Sequence, residues 1–109
     1  ENIKVVSIVD KYLEHPRVYI FENEGQPKIY ISSADWMTRN FENRIEVSCP
    51  IYNVDLQKQI LDNFKISWED NVKSRSVNEF MERKVRNKNI KKRRSQFETY
   101  KYFKNLTNK

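Results

Sequence analysis

The chain has one cysteine, one histidine, one glycine and three prolines in 109 residues. Each shortage removes a class of protein. A lone Cys49 cannot form an internal disulfide framework, and one Cys with one His cannot complete the usual four-ligand zinc site, so no structural metal is expected. With Gly25 alone, a glycine-rich phosphate-cradling loop of the P-loop or GxGxxG type is impossible, and any phosphate must be held by side chains. Long apolar runs are missing too: mean hydropathy is −0.91 and charges recur throughout, which leaves no transmembrane stretch of about 20 residues. The chain opens Glu1-Asn2-Ile3, without Met or a charged-then-apolar leader, and on that basis it reads as part of something longer.

What the chain has in excess is positive charge. Lys and Arg number 21 against 15 Asp and Glu, a net +6 with pI near 9.5. Anionic partners follow, phosphates first among them. A length of 109 residues, 13.3 kDa, suits one domain over residues 1–109.

Val5, Ile8, Val9, Tyr12 and Leu13 repeat at helical spacing and predict a short first helix, with Ser7 and Asp10 as a capping box. Pro16 stops it and places His15 where a helix meets a strand. Arg17–Phe21 and Lys28–Ser32 are β-branched and aromatic runs on either side of Asn23-Glu24-Gly25-Gln26-Pro27, the pattern of a hairpin. Ile45–Ile51 predicts a third strand, closed by Pro50. Leu56, Ile60, Leu61 and Phe64 then form a helical stripe capped by Asn53, with Asp55 favourable in its first turn. Residues 71–94 collect Arg83, Lys84, Arg86, Lys88, Lys91, Lys92, Arg93 and Arg94 with few apolar positions, and predict an extended, exposed basic segment. Ser95 and Glu98 make a second capping box. Phe97, Tyr100, Phe103 and Leu106 recur every three residues behind it, as in a terminal helix docked on the core.

The chemistry-bearing residues fall in two places. His15 and Arg17 are two apart, and a strand would send both side chains to one side. Ser32-Ser33-Ala34-Asp35-Trp36-Met37-Thr38-Arg39-Asn40 gathers hydroxyls, a carboxylate and Arg39 after a strand. Imidazole can give a proton to a leaving oxygen near neutral pH, and Arg forks hold phosphate oxygens in pairs, so the combination suits a phosphoryl centre. Ordinary roles compete for the same residues: a solvated histidine beside a proline, Ser32, Ser33 and Asp35 as turn caps, Trp36 and Met37 as core, and Cys49 as a small buried hydrophobe.

The stretch from Ser7 through Asp10-Lys11-Tyr12-Leu13-Glu14-His15-Pro16-Arg17 to Phe21, followed by the string Ile29 to Asn40, resembles the C-terminal domain of bacterial polyphosphate kinase. The similarity continues at Arg44-Ile45-Glu46-Val47, Pro50-Ile51, Asp70-Asn71-Val72-Lys73, Arg75 and Arg94-Ser95-Gln96. It implies an α/β fold, a phospholipase D-like half-domain with a mixed sheet flanked by helices. It also implies a C-terminal piece of a cytoplasmic ATP-polyphosphate phosphotransferase, peripheral at the inner membrane or free of it, and homo-oligomeric at full length. The activity implied is reversible transfer of the ATP γ-phosphate to polyphosphate with Mg2+. A histidine in a preceding domain would be phosphorylated, so these residues alone would be inactive. The resemblance makes His15 the catalytic residue and a nucleotide-phosphate contact, and Arg44 a basic residue of the phosphate site. Arg17, Arg39, Ser32, Ser33 and Asp35 join as phosphate-binding candidates on physical grounds, with no metal ligand among them. The rival reading is a basic nucleic-acid-binding or assembly module working through residues 84–94. A phosphodiesterase half-site is a third, and it wants Lys where Arg17 stands. On the kinase reading no specific nucleic acid is bound.

Overall fold

In the computed structural model, residues 2–78, 83–85 and 91–108 are described, 83–85 by backbone only. The chain divides into two compact units: residues 14–60, and residues 1–13 with 61–109. Each unit carries a three-stranded antiparallel sheet. The expected mixed sheet is therefore replaced, among the described residues, by two antiparallel ones, in which every paired strand runs against its neighbour.

The central unit is built on a hairpin. Strand β2 (Val18–Phe21) pairs with β3 (Lys28–Ser32), and β3 pairs on its other side with β4 (Ser48–Ile51). The hairpin turn runs through the left-handed region at three successive residues, Asn23 (φ 50°), Glu24 (φ 56°) and Gly25 (φ 81°). The Glu22 carboxylate holds it by accepting the amides of Glu24 (2.9 Å) and Gly25 (2.7 Å). Ile29 on the middle strand is 2 % exposed and, with Ala34, supplies the buried apolar residues found among those described. The third strand starts later than expected, at Ser48, because Ile45 and Val47 are exposed and make no ladder. It also runs through Pro50, which an edge strand tolerates since the missing N–H costs no ladder bond. Cys49 on that strand is exposed, not a buried hydrophobe.

Between β3 and β4 lies a five-residue helix, α1 (Thr38–Glu42), which no apolar periodicity announced. Helix α2 (Val54–Trp68) begins where the capping pattern puts it, with the Leu56 amide donating to Asn53 Oδ1 at 3.0 Å. Gln57 secures this turn by donating Nε2–H to the Ile51 carbonyl at 2.7 Å.

The other unit corrects the expected first helix. Val5–Ile8 is strand β1, paired antiparallel with β5 (Ser74–Val77), which pairs in turn with β6 (Arg83–Val85). The β-branched Val5, Val6 and Ile8 gain more from the ladder than from a helix that would restrict their rotamers. Asp10, taken as a capping partner, accepts the Arg94 guanidinium at 2.6 and 2.8 Å with a side chain only 1 % exposed. Within residues 71–94, β5 and β6 are strands, and Ser74 is fully buried. Arg86 and Lys88 lie outside the described residues.

Helix α3 (Ser95–Thr107) is present, but neither its cap nor its packing face is the expected one. Arg94 is the N-cap residue and forms no side-chain cap bond; the Ser95 amide donates instead to Asp70 Oδ2 at 2.7 Å. Phe97, Tyr100, Phe103 and Leu106 are exposed, while Ser95 and Gln96 are buried. Gln96 completes the Tyr12 backbone, donating to its carbonyl (2.7 Å) and accepting its amide (3.1 Å). Tyr102 donates its hydroxyl to Asp62 at 2.8 Å. No described helix is long and apolar enough to cross a membrane.

Candidate active site

The register of the hairpin builds the site. Because Val18 lies opposite Ile31, Arg17 comes opposite Ser32, and the Ser32 amide donates to the Arg17 carbonyl at 2.8 Å. That places the turn after β3 directly beside the residues leading into β2. Asp35, in this turn, accepts Arg17 Nε at 2.6 Å and Nη2 at 3.3 Å. His15 Nε2 stands 2.9 Å from the same Asp35 Oδ1 and 2.9 Å from Arg17 Nη2. His15, Arg17 and Asp35 thus form one cluster. They line a shallow groove of about 240 Å³ together with Pro16, Val18, Tyr19, Ala34 and Trp36.

The cluster is graded in exposure. The His15 side chain is 57 % exposed, that of Arg17 28 % and that of Asp35 25 %. The Arg17 guanidinium, with a smaller contribution from His15, pulls the Asp35 carboxyl down to about 2. The bond to Asp35 in turn pushes Arg17 above its ordinary range. Asp35 is therefore an anion, and its oxygens are engaged by Arg17 and His15.

Ser32 and Ser33 sit beside the cluster but are occupied in shaping the turn. Ser32 Oγ accepts the Ala34 amide (3.1 Å) and the Ser48 hydroxyl (3.0 Å). Ser33 Oγ donates a short hydrogen bond to Glu46 and accepts the Val47 amide at 3.0 Å. Glu46 also accepts Asn40 Nδ2 at 2.7 Å, and the bonds from Ser33 and Asn40 hold its carboxyl below the usual range. Arg39, on α1, and Arg44, after it, are exposed and do not line the groove. Arg44 acts on the turn through its charge, which helps to keep Glu46 ionised.

Sequence reasoning missed three participants. Glu46 and Asn40 brace the turn from behind, and only their places in the resembling strings pointed to them. Trp36, expected in the core together with Met37, is 81 % exposed; Met37 is exposed as well. Trp36 donates its indole N–H to the Tyr19 hydroxyl at 2.9 Å and meets Phe41 edge-on at 6.5 Å. An aromatic wall with one open side results, and no periodicity rule separates such a wall from core.

The profile of the family described as "Polyphosphate kinase C-terminal domain 2" matches residues 1–96. Among curated relatives, the polyphosphate kinase of Klebsiella pneumoniae is 50 % identical over 107 residues, covering 97 % of this chain and 16 % of the relative. That of Escherichia coli strain K12 is also 50 % identical over the same share. The crystal structure of the Porphyromonas gingivalis polyphosphate kinase superposes with a TM-score of 0.92 at 40 % identity, covering 96 % of this chain and 16 % of that one. The chain thus spans about one sixth of the length of the proteins it matches.

Proposed function

This chain belongs to the polyphosphate kinase family, and from that premise we propose that it supplies one half of a site where the γ-phosphate of ATP passes reversibly to inorganic polyphosphate. The observation that carries the reading is the His15–Asp35–Arg17 cluster at an open groove. His15 exposes more than half its side chain while being held at one nitrogen, as a group that must meet a phosphate needs to be. Its imidazole contacts the nucleotide phosphates and acts as proton donor or acceptor to the bridging oxygen. Arg44, exposed at the edge of the same unit, contributes positive charge to the phosphates. Ser32 and Ser33 fix the turn that carries Asp35. The unit is half of a phospholipase D-like arrangement, and its counterpart, with the histidine that becomes phosphorylated, lies outside these 109 residues.

Among the described residues magnesium does not find a ligand set. The two carboxylates near the groove are both committed, Asp35 to Arg17 and His15, Glu46 to Ser33 and Asn40. Among the described residues no group of three or more His, Cys, Asp or Glu is placed to hold a cation. No step assigned to this chain runs through the metal.

The test is made in a full-length polyphosphate kinase carrying these residues. His15→Ala is expected to lower polyphosphate synthesis about 10²–10⁴-fold with expression and folding intact. Arg44→Ala is expected to act mainly on KM for ATP. Wild-type turnover in the His15→Ala enzyme would overturn the assignment.

A further inference from the structure

Asp35 was introduced as a phosphate contact, and its geometry argues against that role. A carboxylate with a pKa near 2 repels phosphate, and its oxygens already face Arg17 and His15. What Asp35 does have is a 2.9 Å approach to one ring nitrogen of His15. Nε2 of His15 also lies 2.9 Å from Arg17 Nη2, so two arrangements of the ring proton compete. In one, Nε2 carries the proton and donates to Asp35. In the other, Nε2 is bare and accepts from Arg17, which would point its lone pair at a carboxylate oxygen 2.9 Å away. Asp35 is ionised and has no proton to bring to that contact. Arg17, by contrast, loses little if it does not donate to His15, since its Nε and Nη2 both bond Asp35. The first arrangement gives the Asp35 anion its donor and leaves Nδ1 as an acceptor with Arg17 Nη2 3.5 Å away, although it also brings Nε2–H near that guanidinium nitrogen. The second sets a bare lone pair against a fixed anion, the costlier conflict.

We propose that Asp35 is a positioning residue that fixes His15 as the Nε2–H tautomer, so that Nδ1 is the nitrogen that exchanges a proton with the phosphoryl group. Arg17 holds Asp35 in place and ionised. This inference rests on the reading of His15 as the acid or base of a phosphoryl-transfer site. It adds which nitrogen works and which residue sets it. In the forward direction Nδ1–H gives its proton to the oxygen released from the phosphoryl group, and in the reverse direction the bare Nδ1 takes it back. Throughout, Nε2 keeps its proton on the Asp35 side.

His15 is the one histidine of the chain, so long-range 1H–15N spectra of the uniformly labelled 109-residue protein contain a single imidazole. For the neutral ring the expected spectrum has a pyrrole-type Nε2 and a pyridine-type Nδ1, with one tautomer populated. Asp35→Ala is expected to give a tautomer mixture. Should that variant fail to fold, Asp35→Leu, which fills similar space and offers Nε2 no acceptor, replaces it with the same expectation. A populated Nδ1–H form in the wild type, or an identical tautomer ratio in wild type and variant, would overturn the proposal. In the full-length enzyme, Asp35→Ala is expected to lower kcat on the order of 10²-fold with KM for ATP nearly unchanged. Unchanged kcat would also overturn it. The spectra read the Asp35–His15 bond without any turnover, so a failure of the kinase reading appears separately, as wild-type activity in His15→Ala.

Discussion

Replacing Asp70 by Asn should destabilise the chain far more than so small a change suggests. Asp70 is fully buried, and its two oxygens accept four backbone amides: Oδ1 takes those of Val72 (3.0 Å), Lys73 (2.7 Å) and Ser74 (2.9 Å), and Oδ2 takes that of Ser95 (2.7 Å). One carboxylate thus closes the loop leading into β5 and starts α3. Burial by itself would raise its pKa, but the amide bonds from Ser95, Lys73 and Ser74 outweigh it, and the group ends below the ordinary carboxylate range. An Asn side chain can keep the three bonds at Oδ1, but its NH2 then faces the Ser95 amide, donor against donor. The loss is one charge-assisted bond, about 1.5–3 kcal/mol, plus about 0.5 kcal/mol for the negative charge at a helix start. We expect about 2–3.5 kcal/mol, a large share of the stability of an ordinary small domain. Asp70→Ala, which orphans all four amides, should cost about 4 kcal/mol or more. Urea unfolding followed by far-ultraviolet circular dichroism gives both numbers, with a constant m-value as the check that only the native state changed. The difference between wild type and Asp70→Asn should also shrink as pH falls through the folded pKa of Asp70, because a protonated carboxyl presents a donor much as the amide does. A cost within 0.5 kcal/mol for Asp70→Asn at neutral pH would refute this account.

Other outcomes follow from the same reasoning. Asp10, Asp35, Glu46 and Asp70 all have folded pKa values below their ordinary ones, so the stability they add is complete above about pH 4–5 and lost as pH falls through the folded values; acid titration of unfolding should show steep loss on the acid side of pH 4. Glu24→Gly should stabilise by about 0.5–1 kcal/mol, since Glu24 sits at φ 56°, and a lower thermal midpoint would contradict it. Gln96→Ala removes both partners of the Tyr12 backbone and should cost about 1–3 kcal/mol in the same urea assay. With a net charge of +6, the chain should bind polyphosphate and unrelated oligonucleotides weakly and interchangeably, with affinity collapsing as salt rises; salt-resistant preference for one oligonucleotide would favour a nucleic-acid module.

Legibility in the sequence tracked how local each determinant was. The β2–β3 hairpin and the start of α2 were readable because a turn and a cap are written within a few residues, as Glu22 to Pro27 and Asn53 to Gln57 show. The convergence of His15, Arg17 and Asp35 was half readable: the residue types marked both segments as candidates, but the pairing of Arg17 with Asp35 depends on the hairpin register. Val5–Leu13 misled because its helical spacing coincides with a β-branched run, and only the distant partner β5 decides between them. The start of α3 misled in the same way. Ser95 and Glu98 spell a capping box, yet the acceptor for the first amide is Asp70, 25 residues earlier. Exposure was the least legible property, as Trp36, Met37, Cys49 and the α3 aromatics show. Hydrophobicity says that a side chain gains from being covered, not that this stretch of chain covers it.

The division of the chain at residues 13 and 60 has a consequence for the order of assembly. Residues 14–60 form a unit whose partners are all near in sequence, with the His15–Asp35 contact spanning 20 positions. The other unit joins residues 1–13 to residues 61–109: β1 waits for β5, and Asp10 and Tyr12 wait for Arg94 and Gln96, 84 positions away. On a ribosome the inserted unit can therefore mature while the first strand is still without a partner, exposing its unpaired edge until the last third of the sequence has emerged. The groove that carries His15 would then be shaped early, and the unit of residues 1–13 and 61–109 would be the late, aggregation-exposed step.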